Sequence, residues 1–300
     1  MISLRYHVVS IAAVFLALAL GVVLGASGVS DRLLSAVSAQ RDDLGTRVQT
    51  LTTERDDLAA AARASDEFAR RVGPAAVRGL LDGQAVALVT AGADPASRDG
   101  LVALLGQSGA TVSGEVALTD AVGDPARADQ LRELTAGLLP TGAQLPAASD
   151  TGSLLGGLLG GALLEGGDPA AVLTGLTTAG FVAAGDVPAP ASLVVVLTGG
   201  ALTGIDAADA AAVVARLAAE LDRRGAGAVL AGTTGSAEAT GAVGVARADS
   251  TVTAALSTVD DVQSGTGQVS TVLALREQMD GRAGRYGSAA TAADGAAPVA

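Results

Sequence analysis

Three glycine-rich turns and one paired carboxylate are the places in this sequence where chemistry could sit. The turns read TAGAD (90–94), TGGALTG (198–204) and AGTTGSAEATG (231–241), and each follows an apolar run. Turns of this kind can offer backbone amides to an anion. None is a P-loop, which needs Gly-Lys-Ser/Thr, because the chain contains no Lys. None carries the spaced dinucleotide fingerprint with an acidic residue ~20 positions on. In a chain with 40 Gly, ordinary tight turns are the default reading. Asp260-Asp261 precedes a helical stretch, where capping or solvation accounts for both carboxylates without a metal. The one His, His7, lies near the N-terminus, so a Ser-His-Asp triad has no base further down the chain. The absence of Cys removes disulfides, thiolate nucleophiles and thiolate metal sites together. The residues therefore predict no catalytic, cofactor-binding or metal-binding set, and a protein that is not an enzyme.

The elements that position the turns read as α/β from Gly83 onward. Apolar runs AVALVTA (85–91) and LVVVLTG (193–199) have the look of buried parallel strands, with AVLAG (228–232) and FVAAG (181–185) as shorter candidates. Helical patterns fill 97–108, 125–139, 168–179 and 206–223. Strands alternating with helices predict a Rossmann-like, doubly wound parallel sheet over 83–286. The stretch 140–166 contains LLGGLLGGALL, too short and too broken by glycine to span a membrane, and reads as a helical excursion or a helix packed on the sheet. Residues 287–300 are Ala/Gly-rich without a pattern and predict a disordered tail. Hydrophobic residues make up 49% of the chain but aromatics only 2%, so the core must be built from Ala, Val and Leu.

Charge is placed unevenly. From Asp31 to Arg78 eight Arg balance eight acids, whereas from Gly79 onward ten Arg face 23 acids. The acidity of the larger part argues against binding nucleic acid or an anionic lipid surface there.

Ahead of this lies Val8 to Ala26, 19 residues without a charge. As a helix it measures about 28 Å, close to the ~30 Å of bilayer hydrocarbon and longer than a ~7–15-residue signal core. Its length favours a retained transmembrane anchor, although the small residues Ala26, Ser27 and Gly28 also suit a cleavage site. Arg5 precedes the run, so the positive-inside bias puts residues 1–7 in the cytoplasm and the bulk outside the plasma membrane. Ala17, Gly21 and Gly25 continue a small-residue row from Ala13, the spacing at which two helix backbones can approach.

From Leu34 the apolar residues fall on a seven-residue beat. Val37, Leu44, Leu51 and Leu58 share one heptad position; Leu34, Arg41, Val48, Arg55 and Ala62 share its partner. This predicts a coiled-coil stalk over 30–72 and a homodimer, with a single amphipathic helix lying on the downstream domain as the alternative. Two Arg in the seam and Gly45 weaken the repeat, and Val72-Gly73-Pro74 reads as its stop.

Two stretches taken together, MISLRYHVVSIAAVFLALALGVVLGA at the start and LSTVDDVQSGTGQVSTVLALREQMDGRAGRYG at 256–287, resemble the actinobacterial MctB family of copper transporters and its cell-separation relative SteB. The resemblance extends over roughly residues 1–287. It implies a cell-envelope protein linked to copper efflux in one branch and to cell-wall splitting, with an envelope or divisome partner, in the other. The residues sit uneasily with copper handling. Copper sites favour Cys, Met or His, and the chain offers Met1, Met279 and His7. The ~10-residue alternating strands of an outer-membrane barrel are not visible either.

Overall fold

The computed structural model describes residues 4–26, 29–139, 150–164 and 166–298. Ser27 and Gly28 of the cleavage-site reading, positions 140–149 of the predicted excursion and the last two residues of the predicted tail lie outside the described residues. The chain divides into two compact units, Met1–Arg63 and Ala64–Ala300.

The first unit holds α1 (Leu4–Ala26) and most of α2 (Val29–Ala76). Within α1, Arg5–Gly25 is long and apolar enough to cross a membrane, and none of it is buried against protein. On α2 the heptad residues Val37, Leu44, Val48, Leu51 and Leu58 are between 53% and 71% exposed. The helix was expected to stop at Gly73-Pro74 but runs on to Ala76. Its amide-less Pro74 lies in the last turn, where the Val77 amide still reaches Gly73 O at 3.0 Å.

The second unit is a three-layer α/β/α sandwich. Its sheet holds β1 (Ala85–Ala91), β2 (Thr111–Leu118), β3 (Leu193–Thr198), β4 (Ala228–Gly232), β5 (Ser257–Val259) and β6 (Arg285–Tyr286), in the order β2-β1-β3-β4-β5-β6. Every pairing is parallel. Central strands buried on both faces need continuous apolar runs, which is why AVALVTA and LVVVLT could be seen in the sequence. Alternate residues feed two cores. Ala87, Val89, Val194, Val196 and Leu230 face one way; Val86, Leu88, Val195, Leu197 and Val229 face the other. The first core is roofed by α4 (Ala128–Leu138), α5 (Thr151–Leu163), α6 (Pro169–Thr178), α7 (Ala207–Arg224) and α8 (Ala242–Ala248). The second is roofed by α3 (Pro95–Gln107) and α10 (Gly265–Met279), with the short α9 (Ser250–Thr253) leading into β5.

Two sequence expectations are corrected here and a third is made specific. FVAAG is not a strand: Val182 makes one isolated antiparallel bridge to Leu118, and the run leads into Pro188 and Pro190. That segment instead covers the free edge of β2, with the Ala183 and Ala189 amides donating to Ala117 O (2.8 Å) and Ser113 O (3.0 Å). LLGGLLGGALL is a helix, as its pattern predicted: it is α5, packed chiefly on α7. Eleven of its 13 residues are buried, which is why it is apolar all round. Gly152, Gly156 and Gly160 form the contact: a Cβ added there would lie 2.3 Å from Val213 O, 2.8 Å from Leu217 O and 2.6 Å from Arg224 Cδ. The tail from Ser288 to Pro298, predicted to be disordered, is fixed by a bridge between Tyr286 and Gly295 and by Ala297, which sits in the second core with its amide on Ser270 Oγ.

Candidate functional site

The order of the strands reverses between β1 and β3. In open α/β sheets that reversal leaves a crevice beyond the carboxyl ends of the strands, where ligands bind. The three glycine-rich turns predicted from sequence all arrive there, after β1, β3 and β4. Glycine is required for them to meet: a Cβ at Gly199 would lie 2.6 Å from Gly92 O, and one at Gly200 would lie 2.6 Å from Thr234 O. A cleft of about 460 Å³ opens beside them. Ala91, Gly92 and Thr198 stand at its strand ends, and Ala207, Ala210 and Ala211 of α7 form its floor. Among the described residues its lip carries three carboxylates, Asp120, Asp124 and Asp206, and no basic side chain. The N-terminus of α7 would favour an anion, but the aspartates oppose one. Ile205, 98% exposed, projects from the same lip, with Leu202 beside it. The chemistry suits a neutral, hydroxyl-bearing or cationic group, or a protein surface with an apolar contact.

Each acid that the sequence singled out, or might have, has a structural task. Asp94, in the first turn, caps α3: Ser97 donates to Asp94 Oδ2 through its hydroxyl (2.7 Å) and its amide (2.8 Å), and these bonds hold the carboxyl below its ordinary range. Asp260 is not solvated. It pairs with Arg247 at 2.5 Å, both side chains being 2% exposed. The pair is fully satisfied. Arg247 also donates to Thr258 Oγ1 (3.0 Å), Thr291 Oγ1 (3.0 Å) and Tyr286 O (2.7 Å), while Asp260 Oδ1 accepts from the Ser288 and Ala289 amides. This cluster clamps the tail to β5 and β6. Asp261 accepts from the Ser264 hydroxyl at the start of α10, and burial, reinforced by Asp260, pushes its carboxyl up. Asp66, at the α2 end of this unit, accepts from the Gly265 amide and from Arg70 (2.9 Å). Burial alone would raise Asp66, but those two donors outweigh it and hold the carboxyl low. Sequence reasoning missed Arg247, because nothing in a helix of ordinary composition marks one arginine as buried.

The other predicted residues belong to different parts of the chain. Ala17, Gly21 and Gly25 lie exposed on α1 or at its end, and a Cβ added at either glycine would touch nothing within 4 Å. Met279 is half-buried at the end of α10 against the second core. Among the described residues, no three His, Cys, Asp or Glu side chains cluster closely enough to hold a metal ion.

The family model described as "Copper transport outer membrane protein, MctB" matches residues 1–298. The chain belongs to the MctB family. It is 41% identical over 307 residues to the copper transporter MctB of Mycobacterium bovis, and 37% identical over 309 residues to that of Mycobacterium leprae, each alignment spanning 96% of both chains. The stretches by which the chain resembles MctB proteins now have places in the fold: the first is α1, and the second runs from β5 through Asp260 and α10 to β6.

Proposed function

We propose that this chain is a single-pass, non-enzymatic plasma-membrane protein that serves copper homeostasis through its α/β head, without holding copper tightly itself. Its first helix anchors it, its N-terminus is cytoplasmic and its head is extracytoplasmic. The observation that carries the reading is the chemistry of the cleft. Cu(I) is held by thiolate or thioether and Cu(II) by imidazole, whereas the cleft offers aspartates, the hydroxyls of Thr119, Thr198 and Thr203, and backbone groups. Such a lip suits docking of a cargo carrier or partner better than chelation. Membership of a family whose curated members are named copper transporters supplies the link to copper. In a deletion strain of the source organism, copper sensitivity restored by the full chain supports this reading; unchanged copper tolerance overturns it.

The exposed heptad row favours a second reading, a homodimeric coiled-coil scaffold for cell separation that docks an envelope or divisome protein, like SteB. Chaining or antibiotic sensitivity with normal copper tolerance in the same deletion strain would select it.

A further inference from the structure

The stalk helix carries its own register mark. Taking Leu34, Arg41, Val48, Arg55 and Ala62 as heptad position a makes Val37, Leu44, Leu51 and Leu58 position d, and puts Gln40, Arg47, Glu54 and Ala61 at position g. In a parallel two-stranded coil, each a residue lies beside the g residue that precedes it on the other helix, and a polar a residue fixes register at a cost in stability. We infer that two copies of this chain pair in parallel along α2, with Arg55 of each copy meeting the partner's Glu54. The inference rests on the pairing proposed above and specifies its register. In its own chain Arg55 is held at 2.6 Å by the adjacent Asp56, both well exposed, a contact worth little. Among the described residues of its own chain Glu54 makes no ion pair, unlike Asp43, which holds Arg47 at 3.0 Å.

Charge complementarity chooses the register. In the aligned pair, two Arg55–Glu54 contacts form and each Arg41 meets a neutral Gln40. A slip of one heptad breaks both contacts. It also separates the Arg41–Arg41 and Arg55–Arg55 layers but sets Arg41 of one helix and Arg55 of the other each against an Arg47, so the like-charge encounters balance and the two attractions are the net loss. The exposed apolar row supplies the affinity; the arginine layer supplies the alignment.

The test uses the full chain in native membranes, where the absence of Cys gives a clean background. Leu44→Cys chains treated with iodine should cross-link into dimers. Mixing Leu44→Cys with Leu51→Cys chains should give little of the mixed product, because one heptad separates the two sites. Adding Glu54→Arg should weaken pairing roughly tenfold, equivalent to about 1.4 kcal/mol, and raise the mixed product. The swap Glu54→Arg with Arg55→Glu should restore both. A Leu44→Cys chain that never cross-links overturns the pairing itself. Normal cross-linking that is indifferent to Glu54→Arg, or mixed product as abundant as matched product, leaves pairing intact and overturns the register assignment.

Discussion

Replacing Gly156 by Ala tests the packing of the head with a single methyl group. In an exposed helix interior the change is favourable, by up to about 1 kcal/mol, because glycine is the poorer helix former. On α5 the new Cβ would stand 2.8 Å from both Leu217 O and Glu220 Cβ of α7. A backbone carbonyl cannot rotate aside, so the helices must separate. Overpacking of this kind costs about 1–3 kcal/mol, and against an unyielding carbonyl the cost falls in the upper part of that range, ~2–3 kcal/mol, above the propensity gain. A net loss of ~1–2 kcal/mol follows, or a fall of about 2–8 °C in Tm at ~2–4 °C per kcal/mol for a unit of this size. Gly152→Ala should cost more, because its Cβ meets Val213 O at 2.3 Å. Gly160→Ala should cost less, because it meets the movable Arg224 Cδ. Gly106 and Gly137, with nothing within 4 Å of an added Cβ, are the controls, and Ala there should stabilise by about 0.4–1 kcal/mol. Urea unfolding of residues 64–300 followed by circular dichroism reads all five variants. A Gly156→Ala variant as stable as the parent would refute the close contact of α5 with α7.

Four further outcomes follow from the same structure. Burial pushes the Asp222 carboxyl up to about 6, against the Ala228 amide and Arg223. Its stabilising form is the neutral one, complete below the ordinary 3.8 and lost as pH rises through 6. Asp222→Asn should therefore add up to about 3 kcal/mol at neutral pH and flatten the decline in stability between pH 4 and 7. Asp260→Ala strands a buried Arg247 and should cost about 3–5 kcal/mol, with proteolysis at residues 288–298 appearing before global unfolding. N-terminal sequencing of membrane-extracted protein should find residues 1–26 retained; a mature start near Val29 in the soluble fraction would remove the anchor. Competition of residues 79–300 against a copper chelator should give a Kd no tighter than about 1 μM, and a stoichiometric nanomolar site surviving high salt would make direct copper transport the leading mechanism.

The sequence made some of this legible and hid the rest for physical reasons. β1, β3 and β4 could be read because central parallel strands are apolar on both faces. β2 lies at an edge, mixes Ser113 and Glu115 with its valines and shifts register opposite Val86–Ala87, so its pattern is broken. β5 and β6, three and two residues long, are too short to carry any period. The run of α5 could be read as helical, but its glycines could not be read as a contact face, because their tertiary packing on α7 is what selects them. The turns were legible as turns, but their convergence depends on strand order, which no local pattern encodes. Asp260 was seen and misjudged: its neighbour in sequence is another acid, and its true partner stands 13 positions away on α8.

That misjudgement bears on what family resemblance can transfer. The 256–287 stretch that helped to carry the likeness to MctB proteins contains β5, the Asp260 half of the buried pair, the cap of α10 and the Tyr286 hydroxyl donating to buried Glu277. Each of these closes the fold or ties down the tail, and none lines the cleft. The opening stretch is the apolar helix α1. The two recognisable ends therefore report an apolar helix long enough to cross a membrane and a closed sandwich, which a copper-export component and a cell-separation scaffold need equally. What separates those functions must lie elsewhere, in the aspartate-lipped cleft with Ile205 at its rim or in the exposed apolar row of α2. Substitutions of Asp120, Asp124 and Asp206 on one hand, and of Leu44 and Leu51 on the other, address the two surfaces separately, because the first set lies in the α/β unit and the second on α2 in the first unit.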